Sequence, residues 1–181
     1  MFYKKTTLFN FLLFLLTLLI LNDPVKADCL PEAPSATPTR RFVINKNHVY
    51  DKKTKLTWER CPAGMQLEGQ KCRGTATLMT HQMAEKYAKE KGDGWRLPTI
   101  QELLSIVDTH CKNPAINQAI FPGVSELFEG QAKFRSSTPF KELPHLFHNV
   151  DFMDGSVDAN SPSIAMGVRL IFDKSASSTK K

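Results

Sequence analysis

The run Gly92 to Asp108 (GDGWRLPTIQELLSIVD) limits what this chain can fold into more than any other stretch. Gly92 and Gly94 lack a Cβ and can take positive φ, so they can end one helix and redirect the chain. Pro98 pushes Leu97 towards extended geometry and bars helix upstream. Thr99 and Glu102 spell a capping box: the Thr99 hydroxyl accepts the Glu102 N–H, and the Glu102 carboxylate accepts the Thr99 N–H. A carboxylate in the first turn also suits the positive end of the helix dipole. Ile100, Leu103, Leu104 and Val107 then recur at helical spacing and give one apolar face. Upstream, Thr80 to Lys91 reads as another helix, with Thr80 as N-cap and Gly92 as an αL end. Its apolar stripe is Met83, Ala84, Tyr87 and Ala88, with Glu85, Lys86, Lys89 and Glu90 facing water. Two helices joined by Trp95-Arg96-Leu97-Pro98 would pack on a sheet built from the flanking strands.

The amino end carries export information. Lys4 and Lys5, an apolar run from Leu8 to Leu21 broken by Asn10 and Thr17, and Val25-Lys26-Ala27 form a secretory signal with cleavage after Ala27. An uncleaved anchor wants about 18 or more apolar residues, more than this run offers. A lipid-modified Cys29 wants small or apolar residues before it, where Lys26 and Asp28 stand. Cleavage removes Lys4, Lys5, Lys26 and Asp23, so the formal +6 becomes +4 in a mature chain of 154 residues. That length suits one domain with a real core. The expected location is periplasmic or extracellular, without a membrane span after cleavage. A small positive balance on an exported chain is weak ground for an anionic partner and argues against nucleic acid.

Four cysteines in an exported chain read as two disulfides, with three pairings open. Cys61-Pro-Ala-Gly and Gly69-Gln70-Lys71-Cys72 look like the two ends of a hairpin, which favours Cys61–Cys72 and then forces Cys29–Cys111. On the chain-entropy account the short loop contributes about 3 kcal/mol and the long one about 4.5 kcal/mol. No Cys-x-x-Cys redox pair occurs, and the spacing is not that of zinc ligands.

Along the mature chain, residues 28–39 hold Pro31, Pro34 and Pro38 and read as an extended tether, mobile except at Cys29. Arg40 to Ile44 reads as a strand. His48-Val49-Tyr50 and Lys55-Leu56-Thr57-Trp58-Glu59 flank Asp51-Lys52-Lys53-Thr54 as a hairpin with a polar tip, one of Leu56 and Trp58 facing the core. Residues 113–128 are loop-rich. Lys133 to Pro139, Asn149 to Phe152 and Gly167 to Phe172 read as strands, with an Asp154-Gly155 turn. Residues 173–181 read as a disordered Ser/Lys tail. The main domain is therefore expected over residues 40–172.

The sequence Gly94-Trp95-Arg96-Leu97-Pro98-Thr99-x-x-Glu102-Leu103, then Ile106-Val107-Asp108, Cys111, Asn113 to Asn117 and Phe121-Pro122, resembles the Lcl C-terminal domain family, named after collagen-like bacterial adhesins. Lys133 to Pro139, through Ser136-Ser137-Thr138, and Val168 to Phe172 resemble it too. Trp is usual in that family where Arg135 and Phe147 stand here. The shorter Arg96-Leu97-Pro98-Thr99-x-x-Glu102 core resembles the formylglycine-generating enzyme superfamily. These resemblances imply a C-type-lectin-like α+β fold: two helices on a small, mostly antiparallel sheet, loop-rich and disulfide-stapled. No collagen-like repeat is present.

Each residue that invites chemistry has a structural reading beside it. Arg96, with five donors, suits a helix junction better than a ligand contact, and Trp95 suits the core. His145 and His148 sit in a loop-to-strand pattern rather than on one helix face. Asp151, Asp154 and Asp158 lack EF-hand spacing. Ser136, Ser137 and Ser163 lie outside any Gly-x-Ser-x-Gly. Formylglycine-generating enzymes depend on cysteines late in the chain, and none follows Cys111. No catalytic residue, metal or cofactor is therefore assigned, and the chain reads as non-enzymatic. Lys52, Lys53, Lys55, Lys133, Arg135 and Arg169 are the candidate ligand-binding set, with Arg40, Arg41 and Lys46 near them, for an anionic glycan or a cell-surface protein. The alternative is an accessory structural subunit of a cell-envelope assembly.

Overall fold

Strand-forming residues come in short pieces here, so the chain builds several small sheets rather than one large one. A computed structural model describes residues 27–31, 34–125, 127 and 129–174. The signal peptide up to Lys26 and all but the first two residues of the expected tail lie outside the described residues. In chain order the strands are β1 (Asp28–Cys29), β2 (Phe42–Asn45), β3 (His48–Asp51), β4 (Thr57–Glu59), β5 (Gln66–Glu68), β6 (Lys71–Arg73), β7 (Trp95–Arg96), β8 (Cys111–Lys112), β9 (Lys133–Phe140), β10 (Leu143–Asp151), β11 (Val157–Asn160) and β12 (Ile171–Phe172). The helices are α1 (His81–Lys91) and α2 (Ile100–Ser105). Two helices, mostly antiparallel sheets and two disulfides make the fold α+β and disulfide-stapled.

The central sheet runs β2-β3-β4-β12-β7, so the last strand is inserted between the first hairpin and the helix junction. Arg40 and Arg41, expected to open the first strand, lie instead in a single 3-10 turn, Thr39–Arg41. Leu56 and Trp58 both face the core, correcting the expectation that only one would: positions two apart share a face. A three-stranded sheet, β11-β10-β9, stands beside it. Between them lies the main core, with Trp58, Leu103, Ile106, Phe121, Phe134, Phe152 and Ile171 fully buried. A smaller cluster under α1 gathers Ala84, Ala88, Leu97, Val168 and Leu170. Met83, expected in the α1 stripe, is 51% exposed, and His81 takes its place on the buried face, with its ring stacked 3.8 Å from Phe147.

Both expected helix starts are present. Thr80 accepts the Met83 N–H, and Thr99 and Glu102 complete the capping box. Gly92 ends α1 at positive φ (112°), but its ψ of 175° is not αL. Gly94, at φ +88°, leaves room for the Phe172 ring, which would lie 2.6 Å from any Cβ there.

Both favoured disulfides form. Cys61–Cys72 closes the β5–β6 hairpin, and Cys29–Cys111 joins β1 to β8. The Pro-rich stretch is held beyond Cys29 as well, against the expectation of mobility. Asp108 accepts from the Ser35 and Thr37 hydroxyls and the Ala36 N–H, and Asn117 donates to the Thr37 carbonyl at 2.8 Å.

Candidate functional site

The β3–β4 turn is built from one buried carboxylate. Asp51 is fully buried and accepts from the Arg41 guanidinium, the Lys53 N–H (2.9 Å) and the Thr54 hydroxyl (2.7 Å). Burial alone would push its pKa up, but the Arg41 and Thr54 bonds outweigh burial and hold it below the ordinary carboxylate range. Arg41 also donates to the Ser105 carbonyl at the end of α2 (2.8 Å), so the turn is tied to the helix. The result is a rigid base from which Lys52, Lys53 and Lys55 emerge exposed, with exposed Arg40 beside them. The Asp51 carboxylate beneath this tip is neutralised by Arg41. The tip therefore offers four cations to an anion.

The other three members of the candidate set lie elsewhere. Lys133 is on β9 and pairs with Asp158 of β11 at 3.0 Å. Arg135 is 1% exposed and donates to the Ile164 carbonyl. Arg169 is fully buried, donates to the carbonyls of Glu59 and Arg60, and stands over the rings of Phe121 and Phe134 at 5.2 and 5.8 Å. Burial pulls its pKa down to about 9. The six candidate residues therefore divide into an exposed trio, one surface ion pair and two interior arginines. Alternation puts Arg135 on the face of β9 opposite Phe134, and both faces are buried there; Arg169 lies in the buried run that leads into β12.

The Gly-Trp-Arg-Leu-Pro-Thr stretch is a joint. Arg96 grips Glu102 with two parallel bonds of 2.9 and 2.7 Å, reaches Asp173 at 2.9 Å and donates to the Leu97 carbonyl at 3.2 Å. Glu102 also accepts the Thr99 N–H at 2.7 Å. These bonds tie the start of α2, strand β7 and the end of β12 together. Burial opposes the Glu102 charge, but Arg96 and Thr99 outweigh it and lower its pKa. The Arg96 pKa rises, chiefly through the Glu102 bonds. Leu97 and Pro98 are buried, while Trp95 is partly exposed.

A second feature was not legible as a site in the sequence. Asn47, His48, Glu59, Pro62, Gln66, Tyr87 and Lys91 line a cleft of about 420 Å³ beside the Cys61–Cys72 hairpin. Lys91, the last residue of α1, pairs with Glu59 and lies 5.2 Å from the Trp95 ring centre and 5.8 Å from that of Tyr87. Burial works against the Lys91 charge, but the Glu59 bond prevails and raises its pKa. Burial, and then the Lys91 charge, lower the His48 pKa, with Glu59 opposing them. The cleft is thus charge-balanced, unlike the tip.

The residues weighed for metals and nucleophiles sit in ordinary structural roles. Asp151 accepts the Ala132 and Met153 N–H groups, Asp154 accepts the Ser156 N–H, and Asp158 holds Lys133. His145 and His148 lie on strand β10. Ser136 donates to the His148 carbonyl at 2.7 Å. Among the described residues no group of three or more His, Cys, Asp or Glu could hold a metal ion. All four cysteines are bonded to one another. No described helix is long and apolar enough to cross a membrane.

The profile described as the Lcl C-terminal domain matches residues 47–172, well over half of the chain. In the same comparisons no curated protein and no solved structure matches.

Proposed function

This chain belongs to the Lcl C-terminal domain family, and from that premise we propose that it is an exported, non-catalytic adhesion module that holds an anionic glycan at its β3–β4 tip. The observation that carries this reading is the exposure of Lys52, Lys53 and Lys55 on a turn held by the buried Asp51–Arg41 pair, with Arg40 exposed next to Arg41 in the chain. Sulfate or carboxylate groups would meet several ammonium donors at once, and charge-assisted bonds are the strong ones. The turn is set before the ligand arrives, so little ordering is left for binding to cost. Two disulfides support an oxidising, exported setting. Thiol chemistry of the formylglycine-generating kind has no free cysteine to use. Two helices beside mostly antiparallel sheets support a C-type-lectin-like layout for the module.

The test is chromatography of the oxidised chain on a sulfated polysaccharide column. The chain is expected to be retained at low salt and released as salt rises. A Lys52→Gln/Lys53→Gln/Lys55→Gln variant is expected to pass through with its fold intact. Absence of retention at low salt would sink the glycan reading. Constant co-purification with one protein partner and indifference to polysaccharide would favour the envelope-subunit alternative.

A further inference from the structure

The sheet registers place a row of side chains across all five strands of the central sheet. Val43 of β2 faces Tyr50 of β3, Tyr50 faces Thr57 of β4, Thr57 faces Phe172 of β12, and Phe172 faces Trp95 of β7. Residues opposite one another share a face, so these five form one line on one side of the sheet. At about 4.8 Å per strand the line spans about 19 Å. The core lies on the other side: Phe42, Val49, Trp58 and Ile171 have the opposite parity and are buried.

Among the described residues this outer line is partly open, with Trp95 at its β7 end packed against the cluster under α1. Val43 is 50% and Tyr50 38% exposed, and Thr57, Phe172 and Trp95 are each partly exposed. α1 packs next to it, over Leu97 and Leu170, and stops at Lys91. The aromatic members are fixed. Trp95 meets Phe172 at 5.6 Å and His48 at 5.0 Å, and the Phe172 ring rests in the space that Gly94 leaves by having no Cβ. One border of the line leads directly into the basic tip. Lys52 is two residues beyond Tyr50, and Lys55 is two residues before Thr57.

A row of partly exposed aromatic rings, with Trp95 tilted 58° from Phe172, beside exposed cations is complementary to a polymer that alternates rings with negative charges. The basic tip borders one side of the row; on the other side Lys91 is paired with Glu59, and Lys46 is exposed on the β2–β3 turn. We propose that the outer face of the central sheet is the platform on which a sulfated or uronic polysaccharide lies, its sugar rings against Tyr50, Phe172 and Trp95 and its anionic groups on Lys52, Lys53 and Lys55. The proposal rests on the glycan reading above and adds a ring-binding surface to it. The lysines supply long-range attraction and salt dependence; the aromatic row supplies selection for rings over bare charge.

The experiment compares two anionic polymers, a size-defined sulfated oligosaccharide and a linear polyphosphate, which has charge but no rings. Binding of each is measured by titration on the oxidised chain and on Tyr50→Ala, Tyr50→Phe and the triple lysine-to-glutamine variant. Tyr50 is exposed, so its replacement leaves the core intact. Tyr50→Ala is expected to weaken the sulfated oligosaccharide about five-fold, a usual size for one aromatic contact, and to leave polyphosphate unchanged. Tyr50→Phe is expected to restore the oligosaccharide affinity. The triple variant is expected to weaken both polymers. If Tyr50→Ala leaves oligosaccharide affinity unchanged while the triple variant lowers it, the platform is wrong and the basic tip stands. If Tyr50→Ala weakens both polymers equally, ring selection is overturned as well. If neither polymer binds at low salt, the glycan reading itself falls, and the platform with it.

Discussion

The three lysines of the β3–β4 tip and the buried arginines Arg60, Arg135 and Arg169 carry the same charge and have opposite uses. The lysines are exposed to water. The arginines are at most 1% exposed, and they mostly donate to backbone carbonyls. Arg60 reaches the carbonyls of Ile120 and Ala119 at 3.0 and 3.1 Å and Gln70 at 3.2 Å. Arg169 bridges the carbonyls that end β4. The difference follows from the side chains. A guanidinium is a weakly hydrated planar fork that can satisfy several carbonyls in a loop-rich interior, whereas an ammonium is a compact, strongly hydrated charge better left outside. Short strands leave many loop carbonyls to satisfy, and interior arginines do part of that work here.

The largest expected effect is on the arginine side of this contrast. Arg169 fills space between Phe121 and Phe134, while its Nε and Nη2 have no hydrogen-bond partner among the described residues. Arg169→Ala opens a cavity and strands the Glu59 and Arg60 carbonyls, and should lower stability by about 3 kcal/mol. Arg169→Met keeps most of the volume and removes a buried charge, and should cost less, about 1 kcal/mol. Urea unfolding of the oxidised chain measures both. Equal losses in the two variants would mean that charge, not packing, holds this position.

A smaller effect belongs to Arg96, which is an arginine of the interior kind placed at a half-open joint. The Glu102 pKa lies below its ordinary 4.5 in the folded chain. The stabilisation from the Arg96–Glu102 pair is therefore complete above the unfolded carboxylate value and lost as pH falls through the lower, folded one. Glu102→Gln should remove about 1–2 kcal/mol at pH 7 and flatten the fall in urea midpoint below pH 4.5. An unchanged acid limb would assign that limb to other buried carboxylates, such as Asp51 or Asp108.

These contrasts also mark what the sequence made legible. The capping box, both helix starts and both disulfides follow from local rules of spacing and backbone geometry, and all are present in the fold. Arg96 was legible as a joint because its motif supplies a carboxylate six residues away. Arg135 and Arg169 were not legible as interior residues. Arginine is usually a surface residue, and only tertiary context shows that β9 turns Arg135 towards Ile164 and that β12 is a central strand. The Glu59–Lys91 pair joins residues 32 apart, and no local rule links them. The row from Val43 to Trp95 depends on β12 slotting between β4 and β7, a pairing across more than a hundred residues.

The smallest effect is the sharpest on the lysine side. Lys133→Gln and Lys53→Gln each lower the net charge by one, so a ligand drawn only by total charge would respond to both alike. The local difference is large. Lys53 stands at the unneutralised tip, whereas Lys133 is spoken for by Asp158, whose pKa its hydrogen bond lowers. Replacing Lys133 also frees the Asp158 charge, but on β11, in the other sheet. Lys53→Gln should lower the salt concentration that elutes the chain from a sulfated column. Lys133→Gln should leave that elution unchanged, with both variants within about 0.5 kcal/mol of the parent in stability. Equal shifts in elution would dissolve the tip into a general charge effect, and the distinction between placed lysines and interior arginines would lose its functional half.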